Sequence, residues 1–365
     1  MKRFAYFGLL LSLLVGLASM IMPTAALAQS PQAIAPQTYT QTYTVIVGAE
    51  KVSRGIDLMA FFPGTLRIHV GDTVVWKQNS FEIHTVSFLA GTPMPPLVVP
   101  APAGQPSPLM LNPQVAFPAA PADGMYDGST FANSGVMSLE PGQPQEFSLT
   151  FTQPGTYPYL CIVHSEMMLG NIEVVDPSVT VRSPEAVAKL AQKTLRNQMA
   201  RANKLIGVAR SQVPHAIENP DGTTTHFVSI GYSKGQIDLM SFFPGKLEVH
   251  PGDTVEFQLG ATNMAPHTVT FLNGGEDIEF VIPVPNPSDP SGPPLLLANP
   301  EVLMPINAGQ PLTRTGVYSS GFLDSTIPGG PTSFTLKIGD ISGEISYECL
   351  LHDLSGMTGV LKVVP

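Results

Sequence analysis

The stretch YECLLHDLSGMTGV, residues Tyr347–Val360, contains one of only two cysteines in the 365-residue chain. His352 follows Cys349 by three residues, and Met357 follows His352 by five. A second stretch, YLCIVHSEMMLGNI at Tyr159–Ile172, repeats the same order of cysteine, histidine and methionine. Thiolate, imidazole and thioether groups this close together suit a soft, redox-active metal. Each stretch therefore predicts most of a metal site.

The rest of the chain is a tandem duplication around these two stretches. The segment IDLMAFFPGTLRIHVGDTV at Ile56–Val74 returns as IDLMSFFPGKLEVHPGDTV at Ile237–Val255. NSFEIHTVSFL at Asn79–Leu89 returns as NMAPHTVTFL at Asn263–Leu272. A repeat of about 180 residues indicates a duplicated domain, because solenoid repeats have periods of about 20–50 residues. The two cysteines occupy equivalent positions of this repeat, so two metal sites are favoured over a disulfide.

Alternating strand patterns separated by Gly-Asp turns occur in both halves. In the first half, Thr65–His69 leads through such a turn into Thr73–Lys77, and the second half repeats this order. This spacing predicts antiparallel strands of an all-β sandwich in each half. The expected domains are residues 29–176 and 223–365, with a linker at residues 177–222.

The linker is predicted to contain a helix. Ser183-Pro184-Glu185 supplies a cap, a proline in the first turn and an acid at the positive end of a helix, and apolar residues follow at helical spacing. The other face is basic and carries Lys189, Lys193, Arg196, Lys204 and Arg210. A basic amphipathic helix can bind a membrane surface. We favour a linker helix that lies on a domain.

Each half also contains a long insertion, at roughly Ala90–Pro144 and Asn273–Pro331. Loops of this length are usually functional or disordered. The two insertions resemble each other, as FANSGVM at Phe131–Met137 beside YSSGFL at Tyr318–Leu323 illustrates. We therefore expect ordered segments that pack near the two stretches that contain cysteine, histidine and methionine.

The N-terminus predicts export. Lys2 and Arg3 precede an apolar run from Phe4 to Met22, and Ala26-Leu27-Ala28 offers a cleavage site, so residues 1–28 form the expected signal peptide. The alternative is a transmembrane anchor. The cleaved chain would have a net charge of −12, which disfavours nucleic acid as a partner. We expect a periplasmic or extracellular protein without a transmembrane segment in the mature chain.

The candidate metal ligands follow from the repeat. A Cys and two His in a plane with a weak axial Met is the arrangement of blue copper sites. The candidates are His267, Cys349, His352 and Met357 in the second half and His84, Cys161, His164 and Met168 in the first. The loop of the first half is one residue shorter. Met168 is chosen over Met167 because Met168-Leu169-Gly170 then aligns with Met357-Thr358-Gly359. Met167 is the alternative axial ligand, since related copper loops differ in the spacing from His to Met.

The composite motif resembles plastocyanin and the wider cupredoxin family. It consists of C-x-x-H-x-x-x-x-M-x-G before a β-strand together with an upstream P-H-x-V-x-F. The resemblance covers most of each half apart from the insertions. It implies two Greek-key β-sandwiches, in which the upstream His lies on one strand and the loop supplies the other ligands.

These features favour an exported electron-transfer protein with two type 1 copper ions as cofactors, one in each domain. Its partners would be a redox donor and a redox acceptor, both unidentified. One alternative is an oxidoreductase related to nitrite reductase or small multicopper oxidases, but their H-x-H ligand pairs are missing. Another alternative is copper storage or delivery.

His69 and His250 also repeat, and we interpret them as surface residues or as residues just outside the ligand shell. His215 and His226 are interpreted as unpaired linker histidines.

Overall fold

A computed structural model describes residues 40–260 and 262–365 of the chain. The predicted signal peptide at residues 1–28 lies outside the described residues. In the part of the chain that is described, no helix is long and apolar enough to cross a membrane.

Short strands dominate both halves. The first half comprises β1 (Thr42–Val47), β2 (Glu50–Lys51), β3 (Ile56–Leu58), β4 (Phe61–Phe62), β5 (Thr65–His69), β6 (Thr73–Gln78), β7 (Ser87–Phe88), β8 (Val98–Pro100), β9 (Leu109–Leu111), α1 (Pro113–Ala116), β10 (Met125–Tyr126), β11 (Ala132–Asn133), β12 (Glu146–Phe151), β13 (Gly155–Leu160) and β14 (Leu169–Val175). After helix α2 (Pro184–Ser211), the second half comprises β15 (Ile217–Glu218), β16 (Thr224–Lys234), β17 (Ile237–Phe243), β18 (Lys246–Val249), β19 (Thr254–Leu259), β20 (Thr270–Phe271), β21 (Val281–Val284), β22 (Leu295–Ala298), α3 (Pro300–Leu303), β23 (Tyr318–Ser319), β24 (Ser333–Lys337), β25 (Gly343–Glu348) and β26 (Thr358–Val363). Short 3₁₀ helices occur at Val52–Arg54 and Ser165–Met167.

The first half forms a β-sandwich. One sheet has the order β10-β12-β6-β1-β4 and the other β11-β7-β13-β14-β5. Buried and exposed residues alternate along β5 and β6 because successive side chains of a strand point to opposite faces. The inward side chains, among them Trp76, Tyr43 and Tyr159, form one apolar core that also contains Cys161 and Met168.

The second half repeats the sandwich. Strands β17-β16-β19-β24 form one sheet, and β18-β26-β25-β20-β23 form the other. Its core contains Phe257, Tyr347, Cys349 and Met357. The prediction of an all-β protein with two sandwiches is confirmed. Beside the predicted antiparallel strands, β1 pairs with β6, and β5 with β14, in parallel.

One sheet continues from one half into the other. Strands β2 and β3 of the first half extend the second-half sheet, with β3 antiparallel to β17. The register pairs Asp57 with Asp238, which are equivalent residues of the duplicated IDLM segment. The two copies of this segment therefore meet each other, and this pairing brings the two halves into one body.

Helix α2 packs against this junction. Ser183 caps its N-terminus, where the side chain accepts a hydrogen bond from the amide of Ala186. Four of its five buried residues belong to a third apolar cluster that includes Leu58 from the first half and Leu239 from the second, and the fifth, Val187, belongs to the core of the first half. The five basic residues of its other face are exposed. The predicted linker helix thus covers both halves rather than one.

Both insertions are ordered and pair with each other. They form a four-stranded sheet in the order β21-β22-β9-β8, in which Leu297 pairs with Met110. Further along each insertion, an isolated β-bridge joins Met137 to His84. The equivalent bridge joins Leu323 to His267. The insertions therefore support the upstream histidine of each site.

Candidate copper centres

The first triad consists of His84, Cys161 and His164. The Cys161 Sγ lies 3.9 Å from His84 Nδ1 and 3.5 Å from His164 Nδ1, and the two Nδ1 atoms are 3.2 Å apart. His84 comes just before β7, whereas the loop after β13 carries the other two residues. All three side chains are buried. Three donor atoms therefore converge on one point inside the sandwich.

The second triad, His267, Cys349 and His352, has nearly the same geometry. The Cys349 Sγ lies 3.7 Å from His267 Nδ1 and 3.3 Å from His352 Nδ1, and the two Nδ1 atoms are 3.1 Å apart. Within the described residues, these two triads are the groups of at least three His, Cys, Asp or Glu that could hold a metal ion.

A methionine closes each loop against its cysteine. The Cys349 amide donates to the Met357 carbonyl at 3.1 Å, and the Cys161 amide donates to the Met168 carbonyl at 3.0 Å. Both methionine side chains are fully buried. Met167 is only partly buried, and its carbonyl accepts a hydrogen bond from Gln236 of the second half. The backbone pattern thus supports Met168 as the counterpart of Met357.

Matching hydrogen bonds hold the cysteine sulfur in each half. The amide of Thr85 donates to Cys161 Sγ at 3.3 Å, and the amide of Thr268 donates to Cys349 Sγ at the same distance. The hydroxyl of Thr85 also accepts from the amide of Ile162 at 2.8 Å. Amide donors stabilise a negative sulfur, so both cysteines are prepared to bind as thiolates.

Two glycines that the sequence analysis did not single out shape the sites. Gly48 and Gly231 have left-handed backbones, with φ of 63° and 64°. A β-carbon at Gly231 would lie 2.6 Å from His267 Nε2, and one at Gly48 would overlap His84 Nε2. Only glycine gives the backbone this approach to the imidazole rings without strain. Gly48 lies eight residues before the first IDLM segment and Gly231 six residues before the second. A glycine shortly before each copy of this segment was the sequence signal that could have identified them.

The upstream histidines are oriented through their Nε2 atoms. His84 Nε2 lies 3.1 Å from Ser80 Oγ, and His267 Nε2 lies 3.2 Å from Asn263 Oδ1. Each partner precedes its histidine by four residues. A hydrogen bond at Nε2 leaves the other ring nitrogen, Nδ1, facing the triad.

The two loop histidines meet at a single carboxylate. His164 Nε2 lies 3.3 Å from Glu82 Oε1, and His352 Nε2 lies 3.5 Å from Glu82 Oε2. Glu82 is only 8% exposed. Burial alone would raise the pKa of Glu82, but the adjacent His164 and His352 imidazoles lower it to about 2. This residue was also missed by the sequence analysis, because it has no counterpart in the second half.

The cysteine thiols and the histidine rings of each triad shift one another's pKa values. Burial alone would raise the pKa of the Cys161 and Cys349 thiols, but the neighbouring His164 and His352 lower both pKa values. Burial alone would lower the pKa of His352, but the Cys349 sulfur raises it to about 9. The pKa of His267 falls well below its ordinary value because of burial and the charge of His352. Thiolate is the metal-binding form of cysteine.

A buried carboxyl pair lies at the junction of the halves. Asp57 and Asp238 are fully buried, and both carboxylate oxygens of Asp57 lack a hydrogen-bond partner among the described residues. The Ser233 hydroxyl donates to Asp238 at 3.1 Å. Burial raises the pKa of Asp57 well above its ordinary value and the pKa of Asp238 to about 6.

The remaining histidines are bound elsewhere or exposed. His69 Nε2 lies 2.7 Å from the Val179 carbonyl, and the exposed His250 ring faces Asp253. His226 lies in β16 rather than in the linker, and its Nε2 is 3.1 Å from Asp253 Oδ2. The interpretation of His226 as an unpaired linker residue is therefore wrong. Its alternating strand context was the missed signal.

Copper fits both triads. A buried thiolate with two imidazole nitrogens, beside a loop methionine, is the donor set that copper takes in electron-transfer sites. Two buried triads of this type on two β-sandwiches define a protein with two copper ions.

Comparison with known proteins finds a family match for one segment of the chain. Residues 48–175 match the model of copper binding proteins of the plastocyanin/azurin family. No curated protein matches the chain. An oxidised mutant of amicyanin is similar to this chain at 24% identity, over 37% of this chain and 82% of its own, with a TM-score of 0.22. A reduced Cu(I) mutant of amicyanin at pH 4 is 25% identical over 37% of this chain and 82% of its own, with a TM-score of 0.22. The match over residues 48–175 agrees with the resemblance that the motif of the first half predicts.

Proposed function

We propose that this chain is an exported electron-transfer protein with two type 1 copper centres. The observation that carries the proposal is the repetition of one buried donor set, with corresponding distances that agree within 0.2 Å between the halves. The second half, at residues 223–365, is proposed to be a domain of the same family as the first, at residues 29–176. A periplasmic or extracellular location and redox protein partners belong to the same proposal.

The proposed ligands are His84, Cys161, His164 and Met168 in one centre and His267, Cys349, His352 and Met357 in the other. When bound, copper supplies one-electron transfer between Cu(I) and Cu(II). The residues supply a constrained and dry environment. The amides of Thr85 and Thr268 hold the cysteine sulfurs, and the buried rings exclude water from the donor atoms. Little ligand movement is then needed when the charge of the centre changes.

An electron carrier is favoured over an oxidase because of where the other histidines lie. His69 contacts the Val179 carbonyl, and His226 and His250 contact Asp253. None of these three joins a further metal-binding group within residues 40–260 and 262–365. We therefore infer no catalytic copper.

The direct test is copper quantitation with visible spectroscopy of the purified, copper-loaded protein. The proposal expects two copper ions per chain, intense thiolate-to-copper absorption that bleaches on reduction, and no turnover of nitrite or oxygen. Robust turnover that is lost on changing His69 or His250 would make those residues catalytic ligands and overturn the proposal.

A further inference from the structure

Glu82 has no acidic counterpart in the second half of the duplication. Ser80 and Asn263 each hold the Nε2 of the histidine four residues later, so they are equivalent positions. Counting two residues onward places Glu82 opposite Ala265. The first half therefore has a carboxylate where the second half has a methyl group.

This single carboxylate faces a ligand of each site. Its Oε1 lies 3.3 Å from His164 Nε2, and its Oε2 lies 3.5 Å from His352 Nε2. A second acid keeps this arrangement in place: Glu50 accepts from the amide of Phe81 at 3.0 Å and from the hydroxyl of Ser355 at 3.2 Å. Glu50 thus connects the segment that carries Glu82 to the second copper loop.

The contact has a chemical consequence for both histidines. An ionised carboxylate only accepts hydrogen bonds. Each facing Nε2 must therefore carry a proton, so Nδ1 is the ring nitrogen that remains available to a metal in both rings. Those Nδ1 atoms lie 3.5 Å and 3.3 Å from the cysteine sulfurs of their own triads.

Both rings are also shielded from solvent. His164 is 8% exposed and His352 is 4% exposed. A partner protein therefore has little access to either ring edge, whereas Glu82 touches both. One connection between the two triads runs from His164 through Glu82 to His352.

We propose that Glu82 is a positioning residue shared by both copper centres, which fixes His164 and His352 and connects them for electron exchange within one molecule. The proposal rests on the proposed function. The exchange is balanced without a co-reactant, because one centre is oxidised by one electron as the other is reduced, and no proton leaves the protein.

The test compares Glu82→Gln with the matched control Glu50→Gln. Glutamine has one acceptor oxygen in place of two and no charge. In the metal-free protein, ¹⁵N NMR should therefore show the Nε2 resonances of both His164 and His352 shifted by Glu82→Gln. In the copper protein, both reduction potentials should rise, because the oxidised and more positive state loses a nearby negative charge. Cu(II) affinity should fall at both centres by about 10- to 100-fold.

Glu50→Gln removes a charge from the same interface but can keep both hydrogen bonds, because the glutamine oxygen can accept from Phe81 and its amide can donate to the Ser355 hydroxyl oxygen. It should leave both histidine resonances nearly unchanged and shift the two potentials less than Glu82→Gln does. Pulse radiolysis of half-reduced protein should show slower exchange between the centres in Glu82→Gln alone. A response of only one centre, or an equal response to Glu50→Gln, would overturn the proposal.

Glu82→Asp is a second variant that tests the proposal if Glu82→Gln does not fold. Aspartate keeps the charge but is one methylene shorter, so it should perturb at least one histidine resonance. Unchanged resonances of both histidines in Glu82→Asp count against the proposal. If the parent binds no copper, the proposed function fails, but the NMR comparison of the metal-free variants still decides whether Glu82 holds both rings.

Discussion

The two copper loops share their ligand geometry and differ in what surrounds it. In both halves the cysteine amide bonds the methionine carbonyl, although Met168 follows His164 by four residues and Met357 follows His352 by five. The shorter loop turns through Ser165 with φ of 47°, whereas the longer loop uses Gly356 with φ of 82°. The duplication therefore preserves the donor atoms and lets the loop conformation change around them.

The same contrast holds outside the loops. Glu82 is equivalent to Ala265 in the repeat. Ser233 pairs with Asp238 and donates its hydroxyl to that carboxylate, whereas Glu50 holds the corresponding position opposite Asp57. Because equivalent donor atoms lie in unequal surroundings, we expect the two proposed copper centres to differ in reduction potential. Under the proposed function, this inequality would give electron exchange between the two centres a preferred direction.

The largest expected effect comes from removing one thiolate. Cys161→Ser and Cys349→Ser should each abolish one centre and leave the other, because the triads share no ligand. Copper content and thiolate-to-copper absorption should each fall to about half. The double variant, as the control, should lose all of this absorption. Complete loss in either single variant would show that there is only one site.

Removing the buried charge at the junction should stabilise the protein. The folded pKa of Asp238 is about 6, above its ordinary 3.8. Stability from the neutral acid is therefore full below pH 3.8 and is lost as the pH rises through about 6. Asp238→Asn should raise the unfolding free energy at pH 7 by about 3 kcal/mol, the equivalent of about two pKa units.

Denaturant unfolding of the metal-free protein at pH 4 and pH 7 checks this expectation, with the exposed Asp340→Asn as the control. The parent should lose stability relative to Asp238→Asn between these pH values. Asp57→Asn should behave in the same direction, since the pKa of Asp57 is also raised by burial. A parallel pH dependence of parent and variants would contradict the buried-charge account.

The upstream histidines can be disturbed one half at a time. Gly48→Ala and Gly231→Ala place a methyl group against His84 and His267, respectively, at a left-handed backbone. Each should cost about 1–3 kcal/mol and weaken copper binding in its own half. Gly91→Ala also has a positive φ, but it meets no atom within 4 Å. It should lower stability without changing either site.

The smallest effect concerns the axial sulfurs. Met168→Gln and Met357→Gln should each shift one reduction potential and leave the other nearly unchanged, because the axial ligand tunes the potential. Redox titration of the parent should resolve two midpoints. A single midpoint in the parent would mean that the surroundings compensate for the unequal loops. A strong effect of Met167→Gln beside a silent Met168→Gln would identify Met167 as the axial ligand.

The donor set could be predicted from the sequence because it is local and repeated. Cys161 and His164 lie three residues apart, and the second half repeats them in the same order. The residues that join the halves carry no such signal. Glu82 has no copy, and the pairing of Asp57 with Asp238 requires two segments 181 residues apart to meet. Sheets made from distant segments depend on tertiary packing, which local patterns do not specify.

The measurement that tests the central claim most directly is pulsed electron paramagnetic resonance of the fully oxidised, copper-loaded protein. The account places two Cu(II) ions in one chain, with a ligand of each touching the same carboxylate of Glu82. It predicts a dipolar interaction between the two ions that disappears in both Cys161→Ser and Cys349→Ser. A parent spectrum equal to the sum of the two single-site variants, with no such interaction, would contradict it.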